Sequence, residues 1–388
     1  MNTTTMNSLL ELTTCGQSYW LDNLTRDMIT NGELRRRVTE EGLRGITSNP
    51  ATFHKAITGS REYDAQIKRL AGEGKGPADI YEHLAITDVR DACDILRPVY
   101  DASAGVDGFV SLEVSPYLAH DTLGTMQEAR RLFRAVDRPN VFTKIPGTPA
   151  GIPAIEEMLY EGIPINITLL FGLKDYENVA QAYMRALERR LAEGKPLDTV
   201  ASVASFFLSR IDVLVDQLLG HRIRPGLPHG DGSAPRPEQL LGKVAIANAK
   251  LAYQSFKRLF GSERWRALEA QGARVQRPLW ASTSTKNPSY SDVMYVEPLI
   301  GPHTVNTMPA ETIAAFADHG KVVANTVEAD LEEAHRILRD LEGVGIDLHC
   351  VTWQLQNEGV QKFIEPYDAL MQALTAKRQA ILGERAQS

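Results

Sequence analysis

Val110-Ser111-Leu112-Glu113-Val114 alternates apolar and polar side chains without a break. Successive side chains of a strand point to opposite faces, so Val110, Leu112 and Val114 share one face and Ser111 and Glu113 the other. Ile165-Asn166-Ile167-Thr168-Leu169 repeats the pattern, with Asn166 and Thr168 as its polar face. In Gly45-Ile46-Thr47-Ser48-Asn49, Thr47 and Asn49 share a parity, as Asp22 does with Trp20. In a closed barrel the apolar faces meet the surrounding helices and the polar faces meet the axis. Most of these polar residues fall late in their strands, at the end where barrel sites are built. Several strands then deliver polar groups to one end of one cavity, which marks a site rather than a core.

The rest of the chain supplies the strands and helices such a barrel needs. Strand-like runs are expected at Tyr19–Leu21, Gly45–Ser48, Gly108–Val114, Val141–Ile145, Ile163–Leu170, Val200–Phe206, Pro278–Ser282 and Thr304–Met308. Amphipathic stretches such as Ala78–Tyr100, Thr122–Val136, Leu173–Glu193 and Ser209–Leu219 lie between them. Repeated βα units around a parallel sheet follow. The expected fold is α/β, a (β/α)8 TIM-type barrel forming a single domain over residues 1–388. A doubly wound open sheet fits the same alternation. His221–Glu238, rich in Gly, Pro and charge, reads as a loop insertion at the rim. Gly72–Gly76 lacks Walker spacing and follows no strand, so it reads as a connector. Gln354–Leu382 is helical by pattern and long enough to lie across the barrel mouth.

Asn140-Val-Phe-Thr-Lys144-Ile-Pro-Gly-Thr148 places a lysine inside a strand that ends in a Pro-Gly turn. Lysine there loses hydration, which disfavours its charged form and leaves an amine able to attack a carbonyl. The product of that attack is a Schiff base. A lysine snorkelling to solvent from the strand end is the competing reading.

Composition excludes several classes. Hydrophobic residues make up 43% of 388 and charged residues 23%, an ordinary globular balance, and the net charge of −7 argues against a nucleic-acid surface. No apolar run approaches a membrane span, and the N-terminus shows no secretory pattern. Cys15, Cys93 and Cys350 are too scattered for a disulfide framework or a zinc motif, so a reducing, cytoplasmic setting is expected. Nothing in the sequence asks for a metal or another cofactor.

Seven segments, in order, resemble the transaldolases. They are Trp20–Arg26, Gly45–Pro50, Ser111–Val114, Val141–Pro146, Asn166–Phe171, Ala204–Asp212 and Trp280–Pro288. The resemblance implies a Schiff-base enzyme of the pentose phosphate pathway. It would move a dihydroxyacetone unit from sedoheptulose 7-phosphate to glyceraldehyde 3-phosphate. It makes Lys144 the nucleophile and Asp22 the acid/base, with Glu113 and Thr168 managing the water consumed and released. Asn49, Asn166 and Ser205, supported by Thr47, would hold the hydroxyls of the three-carbon fragment. Arg210 would bind the sugar phosphate. Shorter transaldolases usually carry a second phosphate-binding arginine after the seventh strand, where this chain has Ser282 and Lys286. The implied partners are small sugar phosphates, with no nucleic acid and no membrane. Both a monomer and a homodimer fit.

Each assignment has a structural competitor. Asp22 also fits as a helix cap, Asn49 before Pro50 as a turn, and Glu113 as a buried ion-pair partner, even of Lys144. Thr168 and Ser205 could be satisfied by backbone carbonyls, and Arg210 could pair with Asp212 or Asp216 at the surface. A fructose 6-phosphate aldolase-like lyase and a non-catalytic sugar-phosphate-binding barrel remain as alternative functions.

Overall fold

A computed structural model describes residues 7–223 and 235–386. Eight strands pair in parallel and in chain order. They are β1 (Gln17–Leu21), β2 (Gly45–Ile46), β3 (Phe109–Glu113), β4 (Val141–Pro146), β5 (Ile165–Leu170), β6 (Ser202–Phe207), β7 (Arg277–Ala281) and β8 (Thr304–Met308). Leu21 of β1 stands opposite Ile46 on one side and Met308 on the other, so the sheet closes on itself. That closure makes the fold a (β/α)8 barrel and removes the open-sheet reading.

Before β2 come α1 (Ser8–Thr14), α2 (Arg26–Thr30) and α3 (Glu33–Glu40). Three helices separate β2 from β3: α4 (Pro50–Gly59), α5 (Asp64–Gly72) and the long α6 (Pro77–Ala102). Single α-helices follow the next three strands, α7 (Thr122–Val136), α8 (Gly151–Glu161) and α9 (Leu173–Ala192), and β6 is followed by α10 (Ser209–Gly220). Then come α11 (Val244–Phe260) and α12 (Glu263–Glu269), and after β8 come α13 (Ala310–His319), α14 (Leu331–Gly343) and α15 (Leu348–Ala386). Helix α7 shows how the sequence sets these elements. Asp121 caps it by accepting from Gly124 N at 2.9 Å, and Thr125, Ala129, Leu132 and Val136 form its buried stripe. Asp137 ends it in the left-handed region at φ 53°.

The connector after Gly72 joins α5 to α6, as expected. The expected rim insertion at 221–238 falls largely on residues 224–234, which lie outside the described residues. Strand β2 is shorter than the sequence suggested. Ser48 Oγ turns to donate to Ser111 O at 2.7 Å, and Asn49 already caps α4, so the ladder stops at Ile46.

Polar and apolar residues divide the barrel interior along its axis. Trp20 and Phe142, each two residues before a site residue in the chain, lie 6.1 Å apart by ring centroid, and Phe142 stacks on Phe109 at 4.0 Å. A Cβ on Gly45 would sit 2.4 Å from the Trp20 indole, so only glycine lets that ring into the barrel. Nearer the N-terminal end, Arg277 pairs with Asp107 at 2.9 Å and donates to Ser18 Oγ at 2.6 Å. The remaining polar side chains gather at the C-terminal mouth. Helix α15 lies over that mouth and packs on α4, α5, α6 and α10.

Candidate active site

Asp22 follows β1 directly, its backbone N donating to Met308 O at 2.8 Å. Its side chain caps nothing, because Thr25 is the N-cap of α2. Instead Asp22 Oδ1 accepts from Thr47 Oγ1 at 2.8 Å, and Thr47 Oγ1 lies 2.7 Å from Thr307 Oγ1. With the Thr47 proton given to Asp22, Thr307 is the donor to Thr47. Burial pushes the Asp22 carboxyl above its ordinary range, against the pull of Lys144 and the Thr47 hydrogen bond.

Lys144 does not snorkel, since only 4% of it is exposed. Its Nζ donates to Glu113 Oε2 at 3.2 Å and to Ser48 O at 3.3 Å. The Phe363 ring of α15 lies 5.4 Å from it. Of the two readings of Glu113, the ion pair with Lys144 is the one the geometry shows, and a role with water is compatible with it. Glu113 Oε1 is buried and has no partner among the described residues. Burial raises this carboxyl too, outweighing the attraction of Lys144.

Strand β5 brings its residues in by an irregularity. The β5–β6 register shifts between Ile167 and Leu170, and Leu169 sits at φ 60°, a region that side-chain-bearing residues rarely occupy. Two contacts from α15 hold this kink. Gln356 Nε2 donates to Leu169 O, next to Thr168, at 3.2 Å and to Gly147 O, just past the end of Lys144's strand, at 3.3 Å. Gly359 lets the helix approach, because a Cβ there would stand 2.9 Å from Leu169 Cδ2. Thr168 Oγ1 is left buried with no partner among the described residues, not satisfied by a carbonyl. Ser205 Oγ donates to Asn166 Oδ1 at 2.7 Å, and Asn166 Nδ2 donates to Ser111 Oγ at 3.0 Å.

These groups surround a cavity of about 240 Å³. Asp22, Thr47, Asn49, Lys144, Thr168 and Ser205 line it. Arg210, Ser282 and Lys286 form its outer wall. Glu113 and Asn166 do not line it; they stand behind Lys144 and Ser205 and fix them. Asn49, expected as a turn residue or a hydroxyl ligand, caps α4 with its Oδ1 by accepting from Thr52 N at 3.0 Å, and the residue also lines the cavity. Arg210 makes no ion pair with Asp212 or Asp216. Its guanidinium lies between the Phe207 and Phe363 rings at 5.2 and 5.8 Å, with Nη1 buried and unpartnered among the described residues. That is a cation built to meet an anion from the cavity. Lys286 is exposed and bonds Ser284 Oγ.

The cavity also contains residues the sequence reading passed over: Thr307, Glu311, Phe207 and Phe363. Thr307 had a signal, being a polar residue at inward parity late in β8. Phe363 had none, because a helical apolar stripe does not say what it covers. Among the described residues, no cluster of His, Cys, Asp and Glu is arranged to hold a metal, and no helix is long and apolar enough to cross a membrane.

A family model described as "Transaldolase/Fructose-6-phosphate aldolase" matches residues 19–374. The chain is 51% identical over 374 residues to "Transaldolase 2" of Nostoc sp., covering 96% of this chain and 98% of that one. It is 49% identical over 373 residues to "Transaldolase" of Trichodesmium erythraeum, covering 96% and 97%. To "Transaldolase" of Mycobacterium bovis it is 45% identical over 370 residues, covering 95% and 96%. With a lysine, two carboxylates and an outer cation converging at the mouth of a closed barrel, and with relatives matched along nearly the whole chain, this protein belongs to the transaldolase/fructose-6-phosphate aldolase family.

Proposed function

We propose that the chain is a transaldolase, moving a dihydroxyacetone unit from sedoheptulose 7-phosphate to glyceraldehyde 3-phosphate through a Schiff base on Lys144. The observation that carries this reading is the buried Lys144–Glu113 pair beside Asp22 at the floor of a cavity whose outer wall is Arg210. The names of the relatives support transfer over simple aldol cleavage. The three cysteines are unpaired, in keeping with a reducing, cytoplasmic setting.

Glu113 is the nearest acceptor for the Nζ proton that must leave before Lys144 attacks the ketose C2 carbonyl. The carbinolamine loses its C2 oxygen as water, taking a proton from Glu113, with Thr168 Oγ1 orienting the departing molecule. The iminium that remains is an electron sink. Asp22 removes the C4 hydroxyl proton, the C3–C4 bond breaks, and its electrons flow to the iminium to give an enamine. The phosphorylated aldehyde leaves. The acceptor aldehyde then takes the enamine electrons at its carbonyl carbon while Asp22 returns the proton to the new hydroxyl. Hydrolysis of the product iminium frees Lys144. Asn49 and Ser205 hold the hydroxyls of the retained fragment, with Ser205 fixed by Asn166. The test of the overall reading is product analysis with the two substrates together. Erythrose 4-phosphate and fructose 6-phosphate formed in equal amounts support transfer. Free dihydroxyacetone as the main product replaces it with the aldolase reading.

Transfer requires the enamine to be kept from water. Phe363 stands over Lys144 and Arg210 and is the part of α15 that closes the cavity. Phe363→Ala is expected to increase release of free dihydroxyacetone relative to transfer by about tenfold. An unchanged ratio in the folded variant contradicts the lid assignment.

At the outer wall, Arg210 offers its planar fork to the phosphate while Lys286 adds a point charge. Lys286→Ala is expected to raise KM for fructose 6-phosphate about fivefold, as loss of one exposed charge contact predicts, and to leave unphosphorylated substrates alone. Equal losses on both substrates remove Lys286 from the phosphate site.

A further inference from the structure

The segment between β7 and β8 carries Ser282 and Lys286, yet little of it is regular structure. What fixes it is a pair of carboxylates on α10, the helix that also carries Arg210. Asp212 Oδ2 accepts from Tyr295 OH at 2.8 Å, and its Oδ1 accepts from Ala245 N at 2.8 Å. One turn on, Asp216 Oδ2 accepts from Tyr290 OH at 2.7 Å, and its Oδ1 accepts from Gly242 N at 2.9 Å. Neither carboxylate has a cation within ion-pair distance among the described residues. All four oxygens are used by neutral donors.

The arrangement is specific to this contact. Gly242 lies at φ +68°, and a Cβ there would come within 2.8 Å of the Tyr290 ring, so only glycine admits the tyrosine this close. Asn306 Nδ2 holds Tyr295 O at 3.1 Å from the barrel side. At the other end of the segment, Ser209 Oγ and Ser282 Oγ lie 2.8 Å apart, and Ser209 N donates to Ser282 O at 3.1 Å. Ser282 itself is at φ 55°. The segment is therefore tied to α10 at three places, Ser282, Tyr290 and Tyr295, with Lys286 on the arc between the first two.

We propose that Tyr290 and Tyr295, held by Asp216 and Asp212, are positioning residues for phosphate recognition, fixing the arc that carries Ser282 and Lys286 at a set distance from Arg210. The proposal rests on the reading of that wall as the phosphate site. The chemistry explains the choice of groups. Phenol-to-carboxylate hydrogen bonds are directional and short, so they set a distance, where apolar contacts would set only an area. Spending the carboxylates on neutral donors also keeps Asp212 and Asp216 from pairing with Arg210 on their own helix.

The test is Tyr290→Phe, Tyr295→Phe and the double variant, each checked for folding by thermal melt. KM and kcat are measured with fructose 6-phosphate and with unphosphorylated fructose, and inorganic phosphate affinity is measured by calorimetry. Loss of the two tyrosine hydroxyl bonds is expected to raise KM for fructose 6-phosphate about tenfold or more and to weaken inorganic phosphate similarly. The kcat values and fructose kinetics are expected to stay within about twofold. Equal changes on both sugars, or none on either, overturn the clamp. Should the double variant fail to fold, Tyr290→Phe and Asp216→Asn give the same readout at the half-buried tie alone. A parent protein without turnover would refute the transferase reading, and phosphate affinity would still decide the clamp.

Discussion

Lys144→Ala is expected to lower turnover of ketose phosphates by about 10⁴-fold or more, because among the described residues no other amine reaches the floor of the cavity. It also removes one member of a buried ion pair whose side chains are only 6% and 5% exposed. Breaking such a pair costs about 3–5 kcal/mol when the partner stays charged. Glu113 escapes part of that cost by taking a proton, since burial already holds it above the ordinary carboxylate range and Lys144 is the main group pulling it down. Between its unfolded value and its raised folded value, the folded state then holds more protons than the unfolded one. Stability therefore falls as pH rises through that window. The variant should melt closest to the parent at the acid end of that window and fall furthest below it at the alkaline end. Turnover within tenfold of the parent, or a melting difference that does not change with pH, contradicts the assigned pair.

Asp22→Asn separates the two halves of the chemistry. Schiff-base formation needs Lys144 and Glu113, whereas cleavage of C3–C4 needs a base at the C4 hydroxyl. Cleavage should slow by about 10²–10⁴-fold. Borohydride should then trap the intact six-carbon ketose on Lys144 instead of the three-carbon fragment. The pH profile adds a second check. The base works ionised, and its raised position means that the ionised form is lost at a higher pH than for an ordinary aspartate as the solution is acidified. That acid limb should be present in the parent's cleavage step and absent in the variant. A three-carbon adduct formed at the parent's rate in Asp22→Asn would assign the base elsewhere.

The barrel was legible because strand alternation reports which face is polar, and in a closed barrel that face has only one place to go. Ser111, Glu113, Asn166 and Thr168 were placed on their faces by parity alone. Parity does not report depth. It could not say that Glu113 and Asn166 stand behind the wall while Thr168 lines it, since that depends on how neighbouring side chains cover them. The cap reading of Asp22 failed for a local reason: Thr25, three residues on, has the better geometry for α2. Asn49 showed the opposite, a residue whose capping oxygen and cavity position coexist. The lid and the β7–β8 segment were least legible. Phe363 is one of many apolar residues on α15, and the ties of Tyr290 and Tyr295 to α10 join residues more than seventy positions apart.

The most direct test of the central claim is borohydride reduction in the presence of fructose 6-phosphate, followed by peptide mass mapping of the parent chain. A three-carbon adduct on Lys144 is the predicted result, because it records the Schiff base and the broken C3–C4 bond in one species. No adduct on Lys144 in folded protein, or an adduct on another lysine, contradicts the account.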